Sequence, residues 1–526
     1  MTKTISVLGH RQQTNARDLM KTYIKPIILS VGLGSASVLH ADVTADDVWS
    51  MFYDQAVDAG FVVNALREKD GKTLVVSDLT MTFNDDINDV NVIYSPGQMS
   101  FVQLSDDTVV VDIPERSTWN INFRDEYDEI INVDATQIMK GAQIQVSERQ
   151  NALVWNYDID TLTFVLERVT DDSEIIERDQ LDVQISLKGS TGSTSYAQNG
   201  ANDTKTTWKS DALEIDAMIS PVGEMLTAQI RTRLADISLL SSMKMPDNHT
   251  VQDLEKALGA GAAISANYQI GAGNTQITYT EPEGNLFINT ETMGTVLDTE
   301  LSQEGLKFDT RLNGLGIDAK GDMLPTPSFT AGIGAIEYGL TFPLMSGPDV
   351  QELGLKYIVS DVSFSDSLWQ TFDPFGAFEP SPFSIGFDVT MALKVAADFF
   401  DPQELVKSDL DDVTDLGELI SLSLNKFIIS GLGAEIAADA YFTFDSTDLI
   451  TFGGIPRPQG DARLRINGLN ALMDKMSSLG LLDAEQVMGA RMFMGMFTVP
   501  VGRDQLETDI RIDEMGGIFA NGQQIQ

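Results

Sequence analysis

The run Leu181-Asp182-Val183-Gln184-Ile185-Ser186-Leu187 decides the fold. Apolar residues take every second position and polar residues stand between them, which is the period of a strand with one dry face and one wet face. Working outward, the same alternation appears in Leu79-Thr80-Met81-Thr82-Phe83, Trp119-Asn120-Ile121-Asn122-Phe123 and Trp155-Asn156-Tyr157-Asp158-Ile159. It returns across residues 213–219, 226–234, 306–312, 353–359, 436–444 and 506–512. One-sided strands of this kind belong to antiparallel sheets. Lys69-Asp70-Gly71-Lys72 and Gln303-Glu304-Gly305 read as the tight turns of hairpins. The links between strands are mostly short and polar, which excludes a parallel α/β sheet, and no short fixed repeat marks a propeller. The Gly- and Ser-rich stretch 188–202 reads as a flexible loop.

Helical spacing is confined to a few places. Thr44 caps a short helix carrying Val48, Met51, Phe52 and Ala56, with Gly60 as its stop. Thr250 begins a second, with Val251, Leu254 and Leu258, ending near Gly259, and a third covers 365–372 around Trp369. The clearest is a helical pair within 467–498. Leu469, Leu472, Met473 and Met476 form one stripe, Gly480 breaks it, and Asp483 with Gln486 makes a capping box for the second helix, which runs to about Phe497. The expected fold is therefore mainly β (α+β): a large curved antiparallel sheet or sheets, a short N-terminal helix and a C-terminal helical pair. A boundary near 250 divides the chain into a β-rich half at 42–250 and a second at 251–526.

Residues 1–41 read as an address. Lys21 and Lys25 precede the apolar run 26–39, and small Ala41 stands before the acidic Asp42, the layout of a secretory signal peptide cut after Ala41. The run is shorter than the ~20 apolar residues of a membrane span. Met20 is read as the start of translation, and the expected location is the periplasm. Those 41 residues hold five bases and one acid out of 35 and 78, which leaves 30 bases and 77 acids, a net charge of −47. Such a surface excludes nucleic acid as a partner, because phosphate neutralisation needs excess Lys and Arg. The acids fall on the wet side of the alternation, as Asp158 and Asp182 do, and read as a solvated coat. With no Cys the chain uses no disulfides, and its 43% hydrophobic content suffices for a real core.

Most catalytic layouts are missing. Beyond residue 41 the chain has one histidine, His249, with no Gly-x-Ser-x-Gly elbow, no Cys nucleophile and no Cys/His zinc spacing. Ser241 with Lys244 and Ser423 with Lys426 match Ser-x-x-Lys, but the companion motifs are absent. The acidic stretches 84–89 and 409–418 offer oxygen ligands for calcium without the EF-hand spacing, and read as solvated loops. Met488, Met492, Met494 and Met496 offer thioethers for copper(I), but Val487, Ala490 and Phe493 interleave with them, which suits packing. No enzyme, cofactor or metal is expected.

Three stretches carry a family resemblance. They are Ala41-Asp42-Val43-Thr44-Ala45-Asp46-Asp47-Val48-Trp49, then Ser365-Asp366-Ser367-Leu368-Trp369-Gln370-Thr371-Phe372-Asp373-Pro374, and last Ile510-Arg511-Ile512-Asp513 with Gly516-Gly517-Ile518-Phe519-Ala520-Asn521-Gly522. In their order and spacing the chain resembles an exported alphaproteobacterial family, domain of unknown function 2125. It departs from that pattern at Glu379-Pro380-Ser381-Pro382, where the family carries a basic residue between the prolines. A looser similarity is to AsmA-like envelope proteins, and it implies a curved sheet, an N-terminal helix and lipid handling. The expected function is a non-enzymatic binding protein whose apolar groove takes a lipid or another hydrophobic ligand, with Met473, Met476, Met488, Met492, Met496 and Trp369 as groove or lid. The alternative is a structural or assembly factor of the envelope.

Overall fold

The computed structural model describes residues 43–525 except 86–88, 105–106, 126–128, 150–151, 172–173, 198–200, 224, 247–248, 250–253 and 397–416. The expected signal peptide and cleavage point, the expected cap at Thr250, half of the acidic stretch 84–89 and most of 409–418 lie outside the described residues. Helix α1 (Ala45–Asp58) starts at the expected cap, Thr44, which the structure shows to be one half of a capping box: Thr44 Oγ1 accepts from Asp47 N, and Asp47 Oδ2 accepts from Thr44 N at 3.0 Å.

Among the described residues the strands that follow form one antiparallel, mainly sequential sheet of 27 strands. β1 (Phe61–Asp70), β2 (Thr73–Asp85) and β3 (Val90–Gln103) make a meander. β3 then faces two short strands lying end to end, β4 (Thr108–Asp112) and β5 (Arg116–Arg124). The next pair, β6 (Ile130–Lys140) and β7 (Gln143–Arg149), meets on the long β8 (Ala152–Asp171), whose end carries β9 (Glu174–Glu177). β10 (Leu181–Ala197), β11 (Ala201–Ile219) and β12 (Thr227–Pro246) continue as long neighbours. β12 pairs with both β13 (Ala263–Ile270) and β14 (Gly273–Glu281). Beyond them, β15 (Gly284–Thr292) and β16 (Gly294–Ser302) rejoin on β17 (Gly305–Gly321). The ladder therefore runs unbroken past residue 250.

β18 (Ser328–Phe342), β19 (Gln351–Phe364), β20 (Phe383–Val395), β21 (Gly417–Gly431), β22 (Ala434–Asp445) and β23 (Arg457–Asn467) extend it one by one. β24 (Val499–Gly502) and β26 (Ile518–Ala520) lie along β25 (Gln505–Ile512), and β27 (Gln523–Gln524) closes a hairpin on β26. That last turn is Asn521-Gly522, with φ of +51° and +80°, the left-handed pair a two-residue hairpin requires. Among the described residues four helices follow α1: α2 (Leu254–Gly259), α3 (Asp366–Phe372), α4 (Leu469–Ser478) and α5 (Ala484–Phe497). Asp483 and Gln486 form the expected capping box of α5.

A crease crosses the sheet. Asp78 in β2, Gly97 in β3, Gly189 in β10, Asp236 in β12, Gly314 in β17 and Asp361 in β19 all have positive φ, between +50° and +87°. The breaks between β4 and β5, β6 and β7, β13 and β14, and β15 and β16 fall on the same line, since Gly189 faces Asp160 and Asp211, Asp211 faces Asp236, and Gly314 faces Gly334. One left-handed residue shifts the in/out alternation by one position and bends the strand. On β12 the inward residues are Ile230, Thr232 and Leu234 before Asp236, but Leu239, Ser241, Met243 and Met245 after it. The latter four are buried, whereas Leu240 between them is 59% exposed. The crease thus divides the sheet into a first wall, containing β5, β6, β14 and β15, and a second wall, containing β4, β7, β13, β16 and everything from β20 onward.

The crease also corrects the reading of 188–202 as a loop. Residues 188–197 belong to β10 and 201–202 to β11. Past Gly189 the inward positions are Ser190, Gly192, Thr194 and Tyr196, the first three small because aromatic neighbours fill the space: a Cβ on Gly192 would lie 2.7 Å from Tyr157 Cε2.

Candidate functional site

Registered pairs make the inner face of each wall apolar from strand to strand. On the first wall Phe164, Ile185 and Ile215 stand abreast, followed one row on by Ala217, Ile230, Ile277 and Ile288. On the second wall Phe308, Leu340, Leu355, Val389 and Leu424 form one row across β17 to β21. These side chains are left partly open: Ile185 and Ile230 are 38% exposed, Leu355 42% and Ile385 56%. The outer face carries the acids, laced with exposed pairs such as Arg233–Glu214 at 2.8 Å, Arg311–Glu337 at 3.0 Å and Arg463–Asp509 at 2.9 Å. Exposed pairs of this kind contribute little stability each, and they trim the self-repulsion of the coat. A depression of about 840 Å³ lies on that wet side, lined by Asp439, Asp461, Arg463, Asp509, Arg511 and Phe519.

One end of the space between the walls is closed. α1 lays Val48, Trp49, Met51 and Ala56 against Phe61, Val63 and Tyr94 of the first wall and Val76, Phe101, Val109 and Val146 of the second. Phe101, Val76, Val109 and Val146 are fully buried, and Trp49 meets Phe101 edge-on at 5.8 Å. Because both walls touch the same helix, their apolar faces look into one trough. A second, smaller core sits at the rim of the second wall, where Ala257 and Leu258 of α2 pack on Met243, Met245 and Leu344.

Within the second wall a polar row interrupts the apolar lining. Trp155, Thr194, Thr206 and Ser241 stand abreast on β8, β10, β11 and β12, and Thr194 Oγ1 bonds Thr206 Oγ1 at 3.2 Å and Tyr157 OH at 3.3 Å. Burial pushes the Tyr196 hydroxyl, beside Gln55 of α1, up to about 12.

The first wall ends under α3. Trp369 is buried against Phe383 at 5.8 Å, and its Nε1 donates to Phe378 O at 3.3 Å. Asp373 holds that loop, accepting from Phe378 N at 2.6 Å and Ala377 N at 2.9 Å, and these bonds set its carboxyl below the ordinary value of 3.8. A lowered folded pKa stabilises the protein fully above the unfolded value and loses that share as pH falls through the folded one. Hydrogen exchange of residues 375–378 is therefore expected to speed up as pH falls below about 4, after correction for intrinsic rates. In Asp373→Asn the loop is expected to exchange fast at every pH, with that step gone.

The proposed groove residues divide. Met473 is buried, Met476 half-buried, and Met488, Met492 and Met496 of α5 point outward at 64–71% exposure, together with Phe493. Of the interleaved residues Val487 is buried, whereas Ala490 is exposed. α5 ends over the inner face of β25, where Thr508 Oγ1 donates to Phe497 O at 2.9 Å. His249 lies in the link after β12, its N–H donating to Pro246 O, and Ser423 and Lys426 lie in β21. Among the described residues no cluster of three or more His, Asp or Glu side chains is placed to hold a metal, and no helix is long and apolar enough to cross a membrane. The polar row escaped the sequence reading because Thr194 lay in the supposed loop and Ser241 looked like half of a Ser-x-x-Lys match. A shifted alternation past Gly189 and Asp236 was the signal that would have found it. No family model matches the chain, and no curated protein or solved structure does so either.

Proposed function

We propose that this is an exported, non-enzymatic protein that binds a lipid or another elongated apolar ligand along the trough. The observation that carries the reading is the inner face of the two walls, apolar over most of its strands yet left 38–56% exposed at Ile185, Ile230, Leu355 and Ile385. A filled core would hide these side chains, whereas a site for an apolar ligand presents them. The resemblance to AsmA-like envelope proteins points the same way by analogy of fold. Purified protein is expected to bind a fluorescent fatty acid saturably and to carry lipid detectable by mass spectrometry when taken from its own periplasm. Lipid-free native protein with no fatty-acid binding would refute the reading. The alternative, an envelope assembly factor, draws on the outward Met488, Met492, Phe493 and Met496 of α5, a face fit for a protein partner.

A further inference from the structure

The polar row of the second wall holds an unmet demand for acceptors. Trp155 Nε1, Thr204 Oγ1 and Ser241 Oγ are withdrawn from solvent and have no hydrogen-bond partner among the described residues. Thr204 is 1% exposed and Ser241 2%. Thr204 stands opposite Tyr196 and next to the row that runs Trp155, Thr194, Thr206, Ser241, and Gln55 reaches the same Tyr196 from α1. All three atoms can donate, and donors left unpaired in a buried site call for an explanation. No cation shares the row: Lys205, Lys209 and Lys244, on the same strands, alternate to the outer face and are exposed. A phosphate or carboxylate would be buried there without a counter-charge, which is costly. From Ser241 the same row continues through Ala266, Thr299, Phe308, Leu340 and Leu355, a path without charge.

Building on the trough reading, we propose that this row seats the uncharged, oxygen-bearing head of an amphipathic lipid, with ester carbonyls as the chemical class. The acyl chain then lies along the row toward β17 and β19. Polar atoms at the α1 end orient the ligand, and the apolar row beyond them supplies affinity.

The test compares a fluorescent acyl methyl ester with a fluorescent alkane of equal length, on the wild type and on the double variant Thr204→Val/Ser241→Ala. The wild type is expected to prefer the ester by about ten-fold, the value of one to two hydrogen bonds. The variant is expected to lose that preference, to keep its alkane affinity, and to melt no lower than the wild type, because the removed hydroxyls were unpaired. Equal binding of ester and alkane by the wild type overturns the proposal and leaves the trough standing. An ester preference that survives in the variant also overturns it, and assigns the hydroxyls to bound water only. Binding of neither probe overturns the proposal together with the trough.

Discussion

Phe101→Ala is expected to release α1 from the end of the trough. Phe101 is fully buried where the helix, the first wall and the second wall meet, and its ring contacts Trp49 edge-on. Emptying such a site removes the transfer energy of the ring and leaves a cavity that the flanking strands cannot close, a loss of about 3–5 kcal/mol. The loss is local, because the core of α1 is separate from the one under α2. Hydrogen exchange of residues 45–58 is therefore expected to accelerate by more than about 100-fold, while β17 to β19 keep their protection. Uniform acceleration would mean that the whole sheet unfolds as one unit. No acceleration would mean that α1 is held by something other than this core.

The second large effect is on binding. Ile185→Glu/Ile230→Glu places two carboxylates on the inner face of the first wall, one strand apart on either side of β11. Both positions are 38% exposed, so the folded protein can hydrate the new charges. A bound acyl chain would strip that water away, and the cost of burying the charges is expected to weaken fatty-acid binding by at least ~10-fold. Arg231→Ala, next to Ile230 but on the outer face at 59% side-chain exposure, is the control and is expected to bind normally. Unchanged affinity in the Glu variant would remove the first wall from the site.

Much of this architecture could be read in advance, for a definite physical reason. Alternation in Leu181–Leu187, Trp155–Ile159 and Leu506–Ile512 reports which face each side chain takes, because side-chain period and strand period coincide, but not its burial, since Ser186 is 4% exposed and Ile185 38%. Caps were equally legible, since Thr44 with Asp47 and Asp483 with Gln486 act within one turn. The crease was not. It depends on Gly189, Asp236, Gly314 and Asp361 lining up across strands far apart in sequence, and a single residue there carries no periodic signal of its own. The site suffered from the same cause. Methionine fills apolar cores and apolar surfaces alike, so composition could not place Met473 inside and Met488, Met492 and Met496 outside.

The sequential ladder has a consequence for how such a molecule changes size. Each strand leans on neighbours that are also near it in the chain, so cohesion accumulates along one dimension, as in repeat proteins. No central nucleus has to be redesigned when the row of strands grows or shrinks. Duplicating a hairpin such as β21–β22 would lengthen the array by about 10 Å, two inter-strand spacings, without disturbing α1 at the far end. The length of the array is then a matter of counting strands, which selection can change by adding or deleting them in pairs.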